Sequence, residues 1–373
     1  MITVLSFYDR IALYHTLAPW ILGLHRSAGT DVEVPSLHFT NNPHWCLTRD
    51  RNEVLIMVRQ FLKPPVVDQD LLRRLRERYR RIVFLNGNAG GGLHRPEVLP
   101  FVDRFYNKAL FSERSAYAQS LYGGELFSQF NHEVFGVVDP EPHVSAPPAP
   151  ENYRKLAVHW NIGVGAFPRR RLAQRFGVAL ARSPFFDVRV ARLALAAGPM
   201  LRPPATSPLA ENAYRYDVNA RLGRPGYPSI AHHRHHLVGV LEAAAGRAGW
   251  EVARDMVPPR RYFSDLRRSR VTFSPFGWGE LCFRDFEAIR AGSLLIKPDM
   301  SHLETWPQVF LPHETYAPVR WDGTDLADTI QYYLDHPSER RRVVRQAQEH
   351  LRQQLDELPA RAMQVLRDAV GAA

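Results

Sequence analysis

Short apolar runs alternate with helical patterns along most of the chain, and this alternation constrains the fold more than any other feature. The runs at 2–8, 54–58 and 82–85 have the apolar, β-branched character of buried strands. Between them, residues 13–27 and 71–80 place apolar side chains at helical spacing. Strands that alternate with helices are typical of βαβ units and a parallel, doubly wound sheet. The sequence therefore predicts an α/β protein.

The alternation continues to the C-terminus, with one proline-rich interruption. Residues 139–150 carry five prolines in twelve positions, which predicts a long loop or linker near a domain boundary. A length of 373 residues suits two domains. We predict Rossmann-like domains at 1–165 and 166–345, followed by C-terminal helices at 346–373. The remaining expected elements are strands at 32–39, 271–274 and 294–297, and helices at 101–122, 169–181, 230–248, 285–291, 337–355 and 361–370.

The composition indicates a soluble globular protein. Hydrophobic residues make up 45% of the chain, and no apolar run approaches the roughly 20 residues that span a bilayer. No basic segment precedes the apolar start, which predicts the absence of a signal peptide. Two cysteines, Cys46 and Cys282, match no metal or disulfide spacing and suit a reducing compartment. We therefore expect a cytoplasmic protein.

A formal net charge of +10 predicts a polyanionic partner. Nucleic acid, an anionic membrane surface and phosphorylated substrates all fit that charge. Of the 48 basic residues only four are lysine, so 44 are arginine. Genome composition is the favoured cause of this bias, and bidentate phosphate contacts are the other.

Residues 271–306 carry the most informative pattern, which predicts strand, Gly-rich turn, helix, strand and loop. Gly277 and Gly279 allow backbone N–H groups to approach a ligand, and the positive end of the next helix points to the same place. Arg284 in the first helical turn can grip a diphosphate. Glu287, three residues later, can accept hydrogen bonds from a ribose diol. Alone, Arg284 and Glu287 would be read as a surface ion pair, but the flanking turn and the AGSLLI strand favour a nucleotide-sugar site.

This run resembles the donor-binding half of GT-B glycosyltransferases, in particular the bacterial glycosyltransferase family 1-like and exostosin-like groups. The resemblance rests on S-P-x-G followed by R-D-F-E-A-I-x-A-G-x-L-L-I, and it covers about residues 214 to 350. It implies two Rossmann-like domains that face a cleft, with C-terminal helices that return to the first domain. It also implies that Glu287 binds the ribose and Arg284 the diphosphate. Many retaining members show E-x7-E, whereas Glu280 and Glu287 are one position closer, so Glu280 is kept as a donor-site residue without a catalytic role.

Other polar clusters extend the predicted donor site. Four histidines at 232–236 suggest metal at first sight, but neighbouring histidines on a helix face different directions. Arg234 within this cluster, and Arg221 before it, are instead candidates for the diphosphate. Asp299, after the second strand, is a candidate for contact with the donor. Residues 68–70 (DQD) are interpreted as a helix cap and 87–92 (GNAGGG) as a loop facing the cleft, so no metal site is predicted.

Inverting transfer needs a base for the acceptor hydroxyl. In the GT-B fold the first domain supplies it, which implies Asp9 or His15 after the first strand, or His132 from a later loop. Each of them would also suit a helix cap or a partly buried polar position.

Together these features predict metal-independent transfer of a sugar from a nucleoside-diphosphate sugar to a glycan or lipid-linked acceptor, in surface polysaccharide synthesis. The expected partners are the nucleotide-sugar donor and the saccharide acceptor, with no required cofactor and no nucleic acid. Peripheral contact with the anionic inner face of the membrane would use the positive charge. A basic nucleic-acid-binding or RNA-modifying protein is the alternative. A third interpretation is an inactive GT-B protein that serves as a binding partner.

Overall fold

The computed structural model describes residues 1–27, 35–62, 66–165, 171–183, 204, 208–223 and 228–371. Two parallel sheets, each covered by helices, form the molecule. The strands are β1 (Ile2–Leu5), β2 (Leu37–Thr40), β3 (Val54–Val58), β4 (Arg81–Leu85), β5 (Arg104–Asn107), β6 (Ala109–Phe111), β7 (Leu156–Val158), β8 (Tyr216–Asn219), β9 (Val252–Ala253), β10 (Ser269–Phe273), β11 (Leu294–Pro298), β12 (Leu303–Thr305) and β13 (Ala317–Val319).

The helices follow the strands as the sequence pattern predicts. A π-helix at Ala12–Leu17 leads into the first α-helix. The α-helices are α1 (Ala18–Ser27), α2 (Pro43–Thr48), α3 (Gln69–Arg78), α4 (Leu126–Phe135), α5 (Arg171–Ala181), α6 (Pro228–Ala248), α7 (Pro259–Arg267), α8 (Phe283–Ala291), α9 (Leu326–Asp335), α10 (Pro337–Asp356) and α11 (Leu358–Val370).

The first sheet has the order β2-β1-β3-β4-β5-β7, and all of its strand pairs are parallel. Every residue of β1 and β3 is buried, because helices cover both faces of the sheet. From β1 the chain moves to β2 on one side and then to β3 on the other. A crevice therefore opens above the carboxyl ends of β1 and β3, where ligands bind in open α/β sheets.

The second sheet has the order β13-β11-β10-β8-β9, again with parallel pairing. Here β8 leads to β9 on one side, and the chain then returns to β10 on the other. The carboxyl ends of β8 and β10 therefore form the corresponding crevice of this sheet. The Gly-rich turn follows β10 and lies at that edge.

The two domains pack closely along the cleft. Strand β12 from the second half pairs antiparallel with β6 from the first, so a two-stranded sheet joins the domains. Helix α11 returns to the first domain and packs on α1, where the Trp20 indole donates to the Ala362 carbonyl at 3.1 Å. The predicted return of the C-terminal helices to the first domain is confirmed.

One prediction about the first half is wrong. Residues 101–122 hold β5, β6 and a 3-10 helix at Arg114–Ala118 rather than one helix. Apolar side chains recur in this stretch at helical spacing, but β5 is buried between β4 and β7, and burial in the sheet outweighs that pattern. The proline-rich loop at 139–150 precedes β7, which pairs with β5, so the first sheet extends beyond this loop.

Some predicted elements fall partly outside the described residues. These are the start of the strand at 32–39 and the start of the helix at 169–181. Among the described residues, no helix is long and apolar enough to cross a membrane.

Candidate active site

The Gly-rich turn between β10 and α8 is fixed by short-range contacts. The Gly277 N–H donates to the Gly279 carbonyl at 2.9 Å, which closes the turn. At the start of α8, the Asp285 carboxylate accepts from the Cys282 N–H at 2.9 Å, as the third residue of a capping box does. The N-terminus of α8 is thereby held at the carboxyl end of β10, where its unpaired N–H groups favour an anion.

A buried ion pair stabilises this turn. Lys297 on β11 is fully buried, and its Nζ lies 3.2 Å from Asp285 Oδ2 and 3.2 Å from the Ser274 carbonyl. The Ser274 hydroxyl donates to the other oxygen of Asp285. Asp285 therefore connects the end of β10, the start of α8 and β11 in one network. Breaking such a pair leaves an uncompensated buried charge, so the network keeps the turn in one arrangement.

Two arginines converge on the turn. Arg284 lies buried in the first turn of α8. Arg234 reaches over from α6, where it donates to the Phe276 carbonyl at 2.9 Å and to the Gly223 carbonyl at 2.6 Å. A Cβ on Gly277 would stand 2.7 Å from Arg234 Nη2, so a side chain there would displace the guanidinium from its present position. Burial lowers the pKa of the Arg234 guanidinium, and the charge of Arg284 lowers it further.

Glu287 lies one helical turn beyond Arg284 on α8. Its Oε2 accepts a hydrogen bond of 2.7 Å from the Tyr262 hydroxyl on α7. Burial raises the pKa of the Glu287 carboxyl, while the Tyr262 bond and the Arg284 charge oppose that rise. The structure therefore brings Arg234, Arg284 and Glu287 together at one edge of the second sheet.

Arg221 is engaged in contacts of its own. Its Nη2 donates to Asp265 Oδ2 at 2.7 Å, and its Nη1 donates to the Asp255 carbonyl. Both partners of the Arg221–Asp265 pair are almost completely buried. The cation of Arg221 is thus balanced within the second domain.

Glu280 and Asp299 lie on the side of the second domain that faces the first. Glu280 is fully buried, and its Oε1 is 3.2 Å from His302 Nε2. Asp299 accepts from the Tyr316 hydroxyl at 3.1 Å and from the Ser301 hydroxyl. Both carboxylates are therefore held within the loops that border the cleft.

The two glycine-rich segments meet across the domain boundary. The Leu281 N–H donates to the Ala89 carbonyl at 3.0 Å. A Cβ on Gly279 would stand 2.6 Å from the backbone carbonyl of Ala89, so the approach leaves no room for a side chain. The loop at 87–92 faces the cleft as predicted, and it contacts the second domain directly.

A second buried carboxyl group lies at this contact, and the sequence patterns did not reveal it. Glu125, just before α4, accepts from the Gly92 N–H at 2.7 Å and from the Asn88 amide at 3.1 Å. Burial raises the pKa of Glu125 well above its ordinary value, and the nearby charge of Glu280 raises it further. An acid directly before an apolar helix is the only local signal of this residue.

The three candidate bases of the first domain lie in different surroundings. Asp9 caps the first helical segment, since its Oδ1 accepts from the Ala12 N–H at 2.7 Å. His132 on α4 stacks on Tyr122, with ring centroids 4.2 Å apart, and its Nδ1 lies 2.8 Å from the Val137 carbonyl.

His15 is the candidate that the structure brings to the second domain. Its buried ring packs edge-on against Phe283, with ring centroids 5.1 Å apart. Phe283 is the first residue of α8, next to Arg284. Burial lowers the pKa of His15 well below its ordinary value, and the charges of Lys108 and Arg10 lower it further.

Two further sequence interpretations concern metals. Asp68 caps α3, since its Oδ1 accepts from the Leu71 N–H at 2.9 Å, so the cap interpretation of residues 68–70 is confirmed. Within the described ranges, no group of three or more His, Cys, Asp or Glu side chains is arranged to hold a metal ion.

Comparison with known proteins shows which protein family part of the chain resembles. Residues 225–367 match the family model described as "Glycosyl transferase-like". The matched region contains α6, the Gly-rich turn and α8. Two Rossmann-like domains that face a cleft, with a C-terminal helix returning to the first, form the GT-B fold. The chain has this predicted architecture of two doubly wound sheets with a returning C-terminal helix, and residues 225–367 are similar to glycosyltransferases. No sequence match was found among curated proteins.

Solved structures of low sequence identity match over nearly the full chain. HepE of Anabaena with UDP-glucose is 11% identical, with a TM-score of 0.41 and 98% of each chain covered. A UDP-forming α,α-trehalose-phosphate synthase of Burkholderia xenovorans is 13% identical, with a TM-score of 0.43 and 99% of each chain covered. An E. coli structure described as trehalose-6-phosphate bound with UDP-2-fluoro glucose is 12% identical, with a TM-score of 0.44, covering 100% of this chain and 99% of that one.

Proposed function

We propose that the protein transfers a sugar from a nucleoside-diphosphate sugar to a saccharide acceptor, with the donor bound by the second domain. The observation that supports this most is the convergence of Arg234 and Arg284 on the Gly277 turn at the N-terminus of α8. Cleavage of the donor at its anomeric carbon leaves negative charge on the diphosphate. The two guanidinium groups and the helix N-terminus would stabilise that charge without a metal ion.

The nucleoside would lie along α8, with its ribose diol at Glu287. A carboxylate accepts two hydrogen bonds from a diol, and the Tyr262 hydroxyl keeps Glu287 in position. In this proposal Gly277 and Gly279 shape the phosphate turn. Glu280 and Asp299 border the sugar on the side of the first domain, and Arg221 contributes through its ion pair with Asp265 rather than by direct contact.

His15 is the proposed base for the acceptor hydroxyl. It is the candidate in contact with α8, and a lowered pKa keeps its imidazole neutral and able to accept a proton. Asp9 already caps a helix and His132 already contacts a carbonyl, so both are weaker candidates. The acceptor would bind to the first domain.

We also propose two domains, with limits at residues 165 and 345, followed by the last helices as a separate segment. A growing surface glycan or lipid-linked saccharide is the proposed acceptor, because a net charge of +10 favours work beside an anionic inner leaflet.

A binding screen tests the donor site. Purified protein is heated with UDP, GDP, TDP, CMP or ADP, and the shift in melting temperature is recorded for wild type, Glu287→Gln and Glu349→Gln. We expect at least one nucleoside diphosphate to stabilise the wild type. Titration calorimetry should then show about tenfold or more weaker binding for Glu287→Gln, since hydrogen bonds to a charged group contribute about 1.5–3 kcal/mol.

The control variant replaces an exposed glutamate on α10 that pairs with Arg352. Glu349→Gln should bind the nucleotide as the wild type does. If none of the nucleotides stabilises the wild type, the donor-site proposal is wrong. If Glu287→Gln binds as tightly as the control, the assignment of the ribose to Glu287 is wrong.

A further inference from the structure

An arginine-lined cavity lies beside the first strand of the first domain. It has a volume of about 620 Å³ and lies between α5 and the loop that follows β1. That loop is at the carboxyl end of β1, where the strand order of the first sheet reverses. The polar side chains that line the cavity are Asp9, Arg10, Arg171, Gln174, Arg175 and Arg182. We call this the arginine cavity.

Hydrogen bonds attach helix α5 to the segment that follows β1. The Tyr14 hydroxyl donates to the Gln174 carbonyl at 3.1 Å. At the other end of α5, Arg182 Nε donates to the Tyr8 carbonyl at 3.0 Å. These contacts join α5 to both ends of the segment that carries Asp9 and Arg10, so the cavity has two connected walls.

The charge of the arginine cavity is strongly unbalanced. Four arginines face one carboxylate, and that carboxylate, Asp9, already caps a helix at 2.7 Å. Within the described ranges, no acidic side chain lies at ion-pair distance from Arg171, Arg175 or Arg182. Several guanidinium groups around one space favour a phosphate or diphosphate, which accepts their hydrogen bonds in pairs.

The arginine cavity lies near the proposed reaction centre. Arg10 lines the cavity and is close enough to His15 to lower the pKa of that imidazole. His15 in turn contacts Phe283 at the start of α8. The segment that follows β1 therefore carries both a wall of the cavity and the residue that contacts the second domain.

We propose that the arginine cavity binds a phosphate or diphosphate group of the acceptor, so that the acceptor is a phosphorylated saccharide. This inference rests on the proposed function, because it gives that acceptor a chemical class. At about 620 Å³ the cavity is larger than one phosphate needs, which leaves room for a sugar ring attached to it.

Titration calorimetry with inorganic pyrophosphate tests the proposal. The titration is done on the protein alone and on protein saturated with the nucleoside diphosphate that the screen identifies, which blocks the donor site. The test variant is Arg171→Gln with Arg175→Gln. The control carries the same loss of charge on the second domain, Arg247→Gln with Arg345→Gln, at two exposed positions.

We expect wild type to bind pyrophosphate with the nucleotide in place. The test variant should bind it about tenfold or more weakly and keep its nucleotide affinity, whereas the control should match wild type. Absence of a pyrophosphate site in the nucleotide complex, or equal affinity in the test variant and the control, would overturn the proposal. If no nucleotide binds at all, the proposed function fails, and comparison of the two variants without nucleotide still decides the cavity.

The phosphate could be carried by a soluble saccharide or by a lipid. Flotation with vesicles of phosphatidylcholine and phosphatidylglycerol separates the two sources. Binding to the vesicles that pyrophosphate abolishes and that only the test variant lacks assigns the phosphate to a lipid. Pyrophosphate binding without flotation assigns it to a soluble acceptor.

Discussion

Each domain buries one lysine beside the cleft, and the two lysines have opposite surroundings. Lys297 on β11 lies 3.2 Å from the Asp285 carboxylate and is fully buried. Lys108, between β5 and β6, is equally buried, but no acidic side chain of the described residues is at ion-pair distance from it. Burial, aided by the charge of Arg59, lowers the pKa of Lys108 to about 7.

The comparison shows that two buried lysines behave differently according to whether a carboxylate lies at ion-pair distance. In the second domain, Lys297 forms an ion pair with Asp285 and supports the Gly-rich turn. In the first domain, Lys108 can lose its proton near neutral pH, and its charge lowers the pKa of His15. One domain therefore holds a paired cation beside the cleft, whereas the other holds a buried lysine that titrates.

Removing the paired cation of Lys297 should have the largest effect on stability. Lys297→Met leaves Asp285 buried without its cation, and we expect the free energy of unfolding to fall by roughly 3–5 kcal/mol. Unfolding in urea, followed by tryptophan fluorescence, measures this loss. Adding Asp285→Asn removes the uncompensated charge, so the double variant should regain part of the stability. Equal stability of the single and double variants would show that the pair does not hold the turn.

The contact between the two faces of the cleft should be next in effect. Gly279→Ala places a Cβ 2.6 Å from the Ala89 backbone and forces the two glycine-rich segments apart. We expect a loss of about 1–3 kcal/mol in unfolding free energy, together with weaker transfer activity. Gly246→Ala is the matched control, because its Cβ would meet open space on α6 and should stabilise that helix by about 0.5–1 kcal/mol. If both alanine variants melt alike, the interdomain contact is not tight.

The titrating lysine should change the pH dependence of stability. An unfolded lysine has a pKa of about 10.4, so between about pH 7 and pH 10 the unfolded chain binds more protons than the folded one. The contribution of Lys108 to stability therefore rises with pH in that window, by about 1.4 kcal/mol per pH unit. Lys108→Met should remove this rise. Urea unfolding of wild type and variant at several pH values measures it, and parallel profiles would contradict a titrating Lys108.

The parts of the candidate site that are close together in sequence could be predicted. Gly277, Gly279, Arg284 and Glu287 lie within one turn and one helix, so their spacing alone places them on a common edge. In the second domain, α6, β10, α8, β11 and α10 were predicted to within a few residues, whereas α7, β9, β12 and β13 were not expected. Arg234 was a candidate because the family resemblance implies a basic residue at the start of this helix.

The missed parts depend on contacts between distant segments. Asp285 and Lys297 meet only when β10, α8 and β11 assemble. Glu125 and Glu280 belong to different domains and meet around Gly90. Arg221 was expected at the diphosphate, but the structure pairs it with Asp265 of α7, which no local pattern indicates. The helix expected at 101–122 failed because burial between two strands outweighed the local pattern.

The sequence by itself determined the alternation of strands and helices, and with it two doubly wound sheets and a Gly-rich turn that opens a helix. These features follow from periodicity and backbone freedom, which act over a few residues. Only the tertiary structure decided which charges are paired. The pKa of a buried group depends on its loss of solvent and on the charges beside it. For Lys297, Lys108 and Glu125, only folding determines both. The sequence located the Gly-rich turn, and the fold brought His15 into contact with Phe283 at the start of the helix that follows it.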